Sequence, residues 1–198
     1  MVVAVLQGSV RLERMGDRVA KWMVAELERR GHEAVLVDAA ALELPMLDKT
    51  WKELKGGDDA AHAGLREKLR SLAELYERAD GFAVVTAEYN HSVPPGLANL
   101  LDYFLEEYFY RPSAIVCYSV GPFGGVRAAM QLRALLAEVG MSSIPSLQPI
   151  AKVGEALSAE GVALTQELAE KSGKFFEEFE WYMMALKAGR GAEDPRRK

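Results

Sequence analysis

Five short apolar runs, each followed in turn by a stretch that rises and falls with helical period, set the strongest limit on how this chain folds. The runs are Val2 to Gln7, Glu33 to Asp38, Phe82 to Thr86, Ser113 to Ser119 and Met141 to Ile150. Apolar residues sit at consecutive rather than alternate positions in most of them, as in strands buried on both faces. Between them, Val19, Trp22, Met23 and Leu27 recur three or four residues apart, as do Leu65, Leu69, Leu72 and Tyr76. Helices are therefore expected from about Met15 to Arg30, from Leu65 to just before Gly81, from Gly96 to Glu107, from Arg127 to Gly140 and from Glu160 to Leu186. Gly31 and Gly140 read as helix stops, and Pro94 and Pro95 as a helix start. Strands that alternate with helices give a parallel sheet covered on both faces, and five strands fit the order 2-1-3-4-5. Pro145 and Pro149 assign the fifth run to an edge.

Two regions stand outside this rhythm. Residues 39–63 contain Pro45, a Gly56–Gly57 pair and mixed charges, and read as a polar surface excursion over Lys49 to His62. Its Trp51 is either an exposed anchor or lid, or a ring folded back on its own domain. Residues 189–198 read as a disordered tail behind a single domain spanning 1–188. Leu164, Leu168, Phe175, Phe179 and Met183 form the expected core stripe of the last helix. The aromatics Tyr103, Phe104, Tyr108, Phe109 and Tyr110 are denser than one helix end needs, and read as either core or a subunit contact.

Composition excludes several classes of function. A formal net charge of −5 with no basic block before Arg196 argues against general binding of nucleic acid or anionic membranes. No apolar run is long enough to span a bilayer, and the first residues lack a basic region or cleavage site, so a cytoplasmic setting is expected. The lone Cys117 cannot form an internal disulfide, and it lies in an apolar run where a buried thiol is expected. His32, His62 and His91 show no metal-ligand spacing, so no metal is expected.

A parallel sheet of this order binds ligands beyond the carboxyl ends of its strands, near the point where strand order reverses. Three loops meet there. The first, GSVRLERMG from Gly8, brings Ser9, Arg11 and Arg14 to the start of a helix, where unpaired amides favour an anion. Neither G-x-G-x-x-G nor G-x-x-x-x-G-K-[ST] is present, so a dinucleotide or triphosphate loop is not supported. A hydroxyl with two guanidinium groups suits a terminal phosphate monoester, although the arginines alone also fit an ordinary charged turn. The loop after the third strand offers Glu88, Tyr89, Asn90, His91 and Ser92. The loop after the fourth holds Gly121, Gly124 and Gly125, whose backbone can approach a flat ligand.

These residues together resemble the NAD(P)H-dependent FMN reductases of flavodoxin-like fold, from Val2 to about Gly140. The resemblance is carried by Gly8-Ser9-Val10-Arg11 with Arg14, by Glu88-Tyr89-Asn90-His91-Ser92-Val93-Pro94 with Leu101-Asp102-Tyr103, and by Ser119-Val120-Gly121 with Gly124-Gly125. Ala87 stands where the family usually has proline. The resemblance implies a three-layer α/β/α sandwich and an FMN phosphate held by Ser9, Arg11, Arg14 and the Met15 and Gly16 amides. It implies a flavin ring and ribityl chain beside Glu88, Tyr89, Asn90, Ser119, Gly121, Gly124 and Gly125. It further implies NADPH or NADH as donor, a small acceptor (flavin, quinone, azo compound or metal oxyanion) and a homodimer or homotetramer. No catalytic side chain is implied, because the hydride passes directly between nicotinamide and flavin. The alternative is an FMN-binding electron carrier or redox sensor without NAD(P)H turnover.

Overall fold

The structure, a computed structural model, describes residues 1–192. Strands β1 (Val2–Gln7), β2 (Glu33–Asp38), β3 (Gly81–Ala87), β4 (Pro112–Tyr118) and β5 (Ser142–Ile150) form one parallel sheet in the order β2-β1-β3-β4-β5. Alternate residues of each inner strand serve opposite faces, and both faces are dry. In β1, Ala4 and Leu6 join one buried cluster while Val3 and Val5 join the other. Every residue of β3 and β4 is buried. That double burial is why these strands read as continuous apolar runs.

Helices α1 (Gly16–Arg29) and α8 (Gln166–Ala192) cover one face. Val19, Trp22, Met23 and Leu27 of α1 meet Phe175, Phe176, Phe179 and Met183 of α8 there. The other face carries α4 (Ala63–Arg78), α5 (Pro95–Asp102) and α6 (Val126–Glu138), with the short α2 (Ala39–Leu42) and α3 (Trp51–Leu54) at its margin. A further short helix, α7 (Val153–Ala156), follows β5. The result is the expected three-layer flavodoxin-like sandwich. Burying one such Leu or Phe contributes roughly 1.5–3 kcal/mol, so the two clusters dominate the stability.

The glycine stops behave as the sequence suggests. At the end of α1, Gly31 has φ +82°, its N–H reaches Glu28 O at 2.9 Å, and His32 N–H reaches Leu27 O at 3.1 Å. Gly140, at φ +90°, closes α6 with the same pair of bonds, to Ala137 O and Leu136 O. Each carries out a left-handed reversal that satisfies two orphan carbonyls.

In four places the structure decides between open readings or differs from expectation. The excursion is folded back. Thr50 N–H and hydroxyl both donate to Glu53, and Trp51 and Leu54 of α3 are buried against the core. Helix α5 stops at Asp102, and a 3-10 turn at Glu106–Tyr108 rolls Tyr103, Phe104 and Tyr108 inward. Tyr76 then packs Phe82, Phe104 and Tyr108 with ring centroids 4.9–5.4 Å away, so most of the aromatic cluster is this chain's own core. The last helix starts at Gln166 rather than Glu160. The preceding turn, with Gly161 at φ +84°, docks on α1 through Arg18 to Leu157 O and Lys21 to Ala159 O, and leaves Leu164 exposed. Finally, α8 continues through Ala192, so residues 189–192 of the expected tail are helical; residues 193–198 lie outside the described residues.

Candidate functional site

The loops after β1, β3 and β4 meet at the carboxyl end of the sheet, and the first two are joined by a hydrogen bond. Gly8 N–H still pairs with Val85 O, holding the first loop to β3, and a Cβ on Gly8 would lie 2.3 Å from Leu97 Cβ. The chain then turns Ser9 inward, where its hydroxyl lies 2.7 Å from the Tyr89 hydroxyl across 80 residues of sequence. Arg11 is exposed, with its guanidinium 6.0 Å from the Tyr89 ring centre, and has no carboxylate partner among the described residues. The start of α1 has no side-chain cap at Met15. A buried serine, an arginine without a carboxylate partner among the described residues and a helix start without a side-chain cap thus belong to one loop.

Arg14 has partners within the chain. Its Nη1 and Nη2 donate to the two oxygens of Asp38 at 2.8 and 2.5 Å, its Nε donates to Asp17 at 2.7 Å, and Nη1 also reaches Ser9 O at 2.7 Å. The guanidinium is committed to the chain's own acceptors. Arg14 is a strut under the loop, tying it to the end of β2 and to α1. Burial opposes its charge, yet the two carboxylates outweigh this and raise its pKa. Asp17 also accepts from Gln7 Nε2 at 2.6 Å. Gly16 packs so closely on Tyr118 that a Cβ would lie 2.5 Å from its hydroxyl. Burial pushes that phenol up to about 12.

Glu88 likewise has partners within the chain. Its carboxylate pairs with the Arg127 guanidinium at 2.5 Å and accepts from Arg127 N–H at 3.2 Å, which caps α6. Burial acts to raise this carboxyl, but the Arg127 guanidinium and the first α6 amides outweigh it and hold it below the usual range. Beyond it, Tyr89 and Ser92 exchange backbone hydrogen bonds around Asn90 and His91, at φ +50° and +64°. Two consecutive left-handed residues make a tight reversal that asparagine tolerates, and it presents Asn90 to solvent. Gln131 of α6 fastens it, accepting from the Ser92 hydroxyl and donating to His91 O.

In the third loop, Ser119 donates to Gly121 O at 2.9 Å, and Lys152 N–H donates to the same carbonyl. Gly124 and Gly125 take φ +62° and +77°. A Cβ on Gly125 would lie 2.7 Å from Tyr118 O, so only glycine fits there. Gly121 faces open space. Val120 and Phe123 are 74% and 62% exposed, and the Arg127 guanidinium lies 4.8 Å from the Phe123 ring centre.

The structure therefore brings Ser9, Arg11, Tyr89, Asn90, Gly121, Gly124 and Gly125 to one edge, with the Met15 and Gly16 amides behind them. Arg14, Glu88 and Ser119 make bonds within the chain at the same edge. The donor set fits a phosphate monoester, and the open glycine loop fits a flat ring, which are the two ends of FMN. Asp17, Asp38, Tyr118, Arg127 and Gln131 belong to the site's frame, and nothing local in the sequence marks them. Among the described residues no group of three or more His, Cys, Asp or Glu could hold a metal, and no helix is long and apolar enough to cross a membrane.

Comparison with known proteins agrees with this geometry. The profile of the NADPH-dependent FMN reductases matches residues 1–155. An NAD(P)H-dependent FMN reductase of Schizosaccharomyces pombe is 29% identical over 181 residues, covering 88% of this chain and 87% of that one. A quinone reductase of Pseudomonas putida is 30% identical over 197 residues, covering 93% and 89%. Among solved structures, FerB of Paracoccus denitrificans, an NAD(P)H:(acceptor) oxidoreductase, superposes with a TM-score of 0.69 at 23% identity over 91% of this chain and 96% of that one. A flavodoxin variant of Pseudomonas aeruginosa gives 0.54 at 18% identity over 93% and 99%.

Proposed function

Because the chain belongs to the NADPH-dependent FMN reductase family, and is an oxidoreductase using FMN and NAD(P)H, we propose that bound FMN takes a hydride from NADPH or NADH here and hands the two electrons to a small acceptor of the quinone type. The meeting of Ser9 and Arg11 at Tyr89, on the loop that leads into the uncapped start of α1, is the observation that carries this reading. In it, Ser9, Arg11 and the Met15 and Gly16 amides bind the phosphate. Arg14, clamped by Asp38 and Asp17, keeps the loop in the shape that presents them. Tyr89 and Asn90 line one side of the ring site, and Gly121, Gly124 and Gly125 the other, where backbone N–H groups offset negative charge on the pyrimidine edge. No side chain serves as acid, base or nucleophile, and the protein's contribution is positioning and electrostatics.

Quinones are favoured among acceptors because Val120 and Phe123 leave an exposed apolar rim beside the glycine loop, and because several relatives are named quinone reductases. The reading extends to a homodimer or homotetramer, supported by exposed Val10, Leu12 and Met46 flanking the first loop, and to a cytoplasmic setting. The test is the visible spectrum of the chain after FMN addition and desalting, followed by anaerobic mixing with NADPH. Retained flavin that bleaches on mixing supports the reductase. Retained flavin that stays oxidised identifies an electron carrier instead, and a colourless protein removes the site.

A further inference from the structure

Tyr118 is the last residue of β4 and is buried, and its hydroxyl serves a different part of the molecule. In the order β2-β1-β3-β4-β5, β3 separates β4 from β1. Ala83, Val85 and Ala87 of β3 share one face with Val116 and Tyr118 of β4, and Ala87 is the register partner of Tyr118. On that face the ring crosses the end of β3, where the side chain beside it is only the methyl of Ala87. Its hydroxyl arrives at the start of α1. A Cβ on Gly16 would meet that oxygen at 2.5 Å and Gln7 Nε2 at 3.3 Å.

The hydroxyl has few acceptors within reach. Gln7 presents Nε2, a donor already given to Asp17 at 2.6 Å. Ser9 is the hydrogen-bonding neighbour of the Tyr118 side chain. Ser9 is itself only 2% exposed and has the Tyr89 hydroxyl at 2.7 Å. A serine oxygen accepts two hydrogen bonds and donates one. Two phenols therefore match the two lone pairs of Ser9 and leave its own proton for a third partner.

Resting on the flavin reading above, we propose that Tyr118 is a positioning residue for FMN: it donates to Ser9 Oγ, Tyr89 fills the second lone pair, and the Ser9 proton is thereby turned toward the phosphate. Tyr118 touches neither phosphate nor ring and acts through Ser9. It fixes in advance a hydroxyl rotor that would otherwise present a lone pair to the dianion for part of the time. A flavin that carries a phosphate gains from this, whereas riboflavin, which ends in a neutral hydroxyl, gains little.

The test is a cycle of four proteins: the natural chain, Tyr118→Phe, Ser9→Ala and the double variant. Tyr118→Phe deletes one oxygen and keeps the ring, and calorimetry on flavin-free samples checks that each chain folds. Fluorescence titration with FMN should show affinity weakened about fivefold or more by Tyr118→Phe, the scale of one hydrogen bond, and no further loss when the same change is made in Ser9→Ala. The Kd for riboflavin should stay within about twofold, and the 31P resonance of bound FMN should move in Tyr118→Phe. A purely structural role would weaken both flavins together. Equal FMN affinity for the natural chain and Tyr118→Phe, matching losses for FMN and riboflavin, or full additivity with Ser9→Ala overturns the inference. Those results leave FMN bound to the natural chain, so they remove the role of Tyr118 alone; a natural chain that binds no FMN removes the flavin reading and this role with it.

Discussion

Arg11 and Arg14 stand three residues apart in the same loop, and the proposed function gives them separable tasks. Arg11→Ala removes an exposed guanidinium with no carboxylate partner among the described residues. Folding should be untouched, and one charge-assisted hydrogen bond to phosphate should be lost, about 1.5–3 kcal/mol, or roughly 10- to 150-fold in the Kd for FMN. Arg14→Ala instead strands Asp38, whose side chain keeps 18% exposure, and releases Asp17, which keeps 50%. Breaking a fully buried pair costs about 3–5 kcal/mol. Partial hydration of both carboxylates reduces this to about 2 kcal/mol, a fall in Tm of about 4–8 °C for a chain of this size. The assay is FMN fluorescence quenching for affinity, with calorimetry on flavin-free protein so that ligand binding does not inflate stability. If Arg11→Ala lowers Tm as far as Arg14→Ala does, or if Arg14→Ala weakens FMN binding more than Arg11→Ala at unchanged stability, the assignment of ligand and strut is wrong.

Glu88 is held below the usual 4.5, so its contribution to stability is complete above that value and lost as pH falls through its folded value; urea midpoints for Glu88→Gln should therefore show a shallower loss on acidification than the natural chain. His62 is raised by hydrogen bonds to Asp59 and Asp48. Its tie across the 48–62 segment is complete below the ordinary 6.5 and lost as pH rises through the raised value, so protease cutting there should quicken over that interval, and His62→Asn should abolish the dependence. Gly125→Ala meets Tyr118 backbone at 2.7 Å in a left-handed conformation and should lower stability by about 2 kcal/mol or more by thermal denaturation, whereas Gly121→Ala meets open space and should be within about 0.5 kcal/mol of neutral.

Sequence carried the frame of this molecule because double burial and helix stops are local signals. β4 is legible because all seven of its residues are buried, and Gly31 and Gly140 because a left-handed helix end all but demands glycine. Site residues were legible by type and less so by task. The clamp on Arg14 was not legible because its partner Asp38 lies 24 residues away, at the end of another strand. Glu88 could equally face a ligand or a neighbouring helix, and the gap between β3 and β4 puts the start of α6 within its reach. The run FLEEYFYRP left core and subunit contact open, because the 3-10 turn that rolls it inward depends on where Tyr76 and Phe82 lie.

The two prolines of β5 bear on how copies of this chain can meet. A sheet border with regular donors is a template on which a second chain can add a strand. Pro145 and Pro149 remove two donors from nine residues, and the irregular register against Ser113–Ile115 further breaks the ladder's regularity. This border is poorly suited to growth by strand addition. On this side of the sheet, a second copy is therefore steered toward helical faces and loops rather than toward the strand itself.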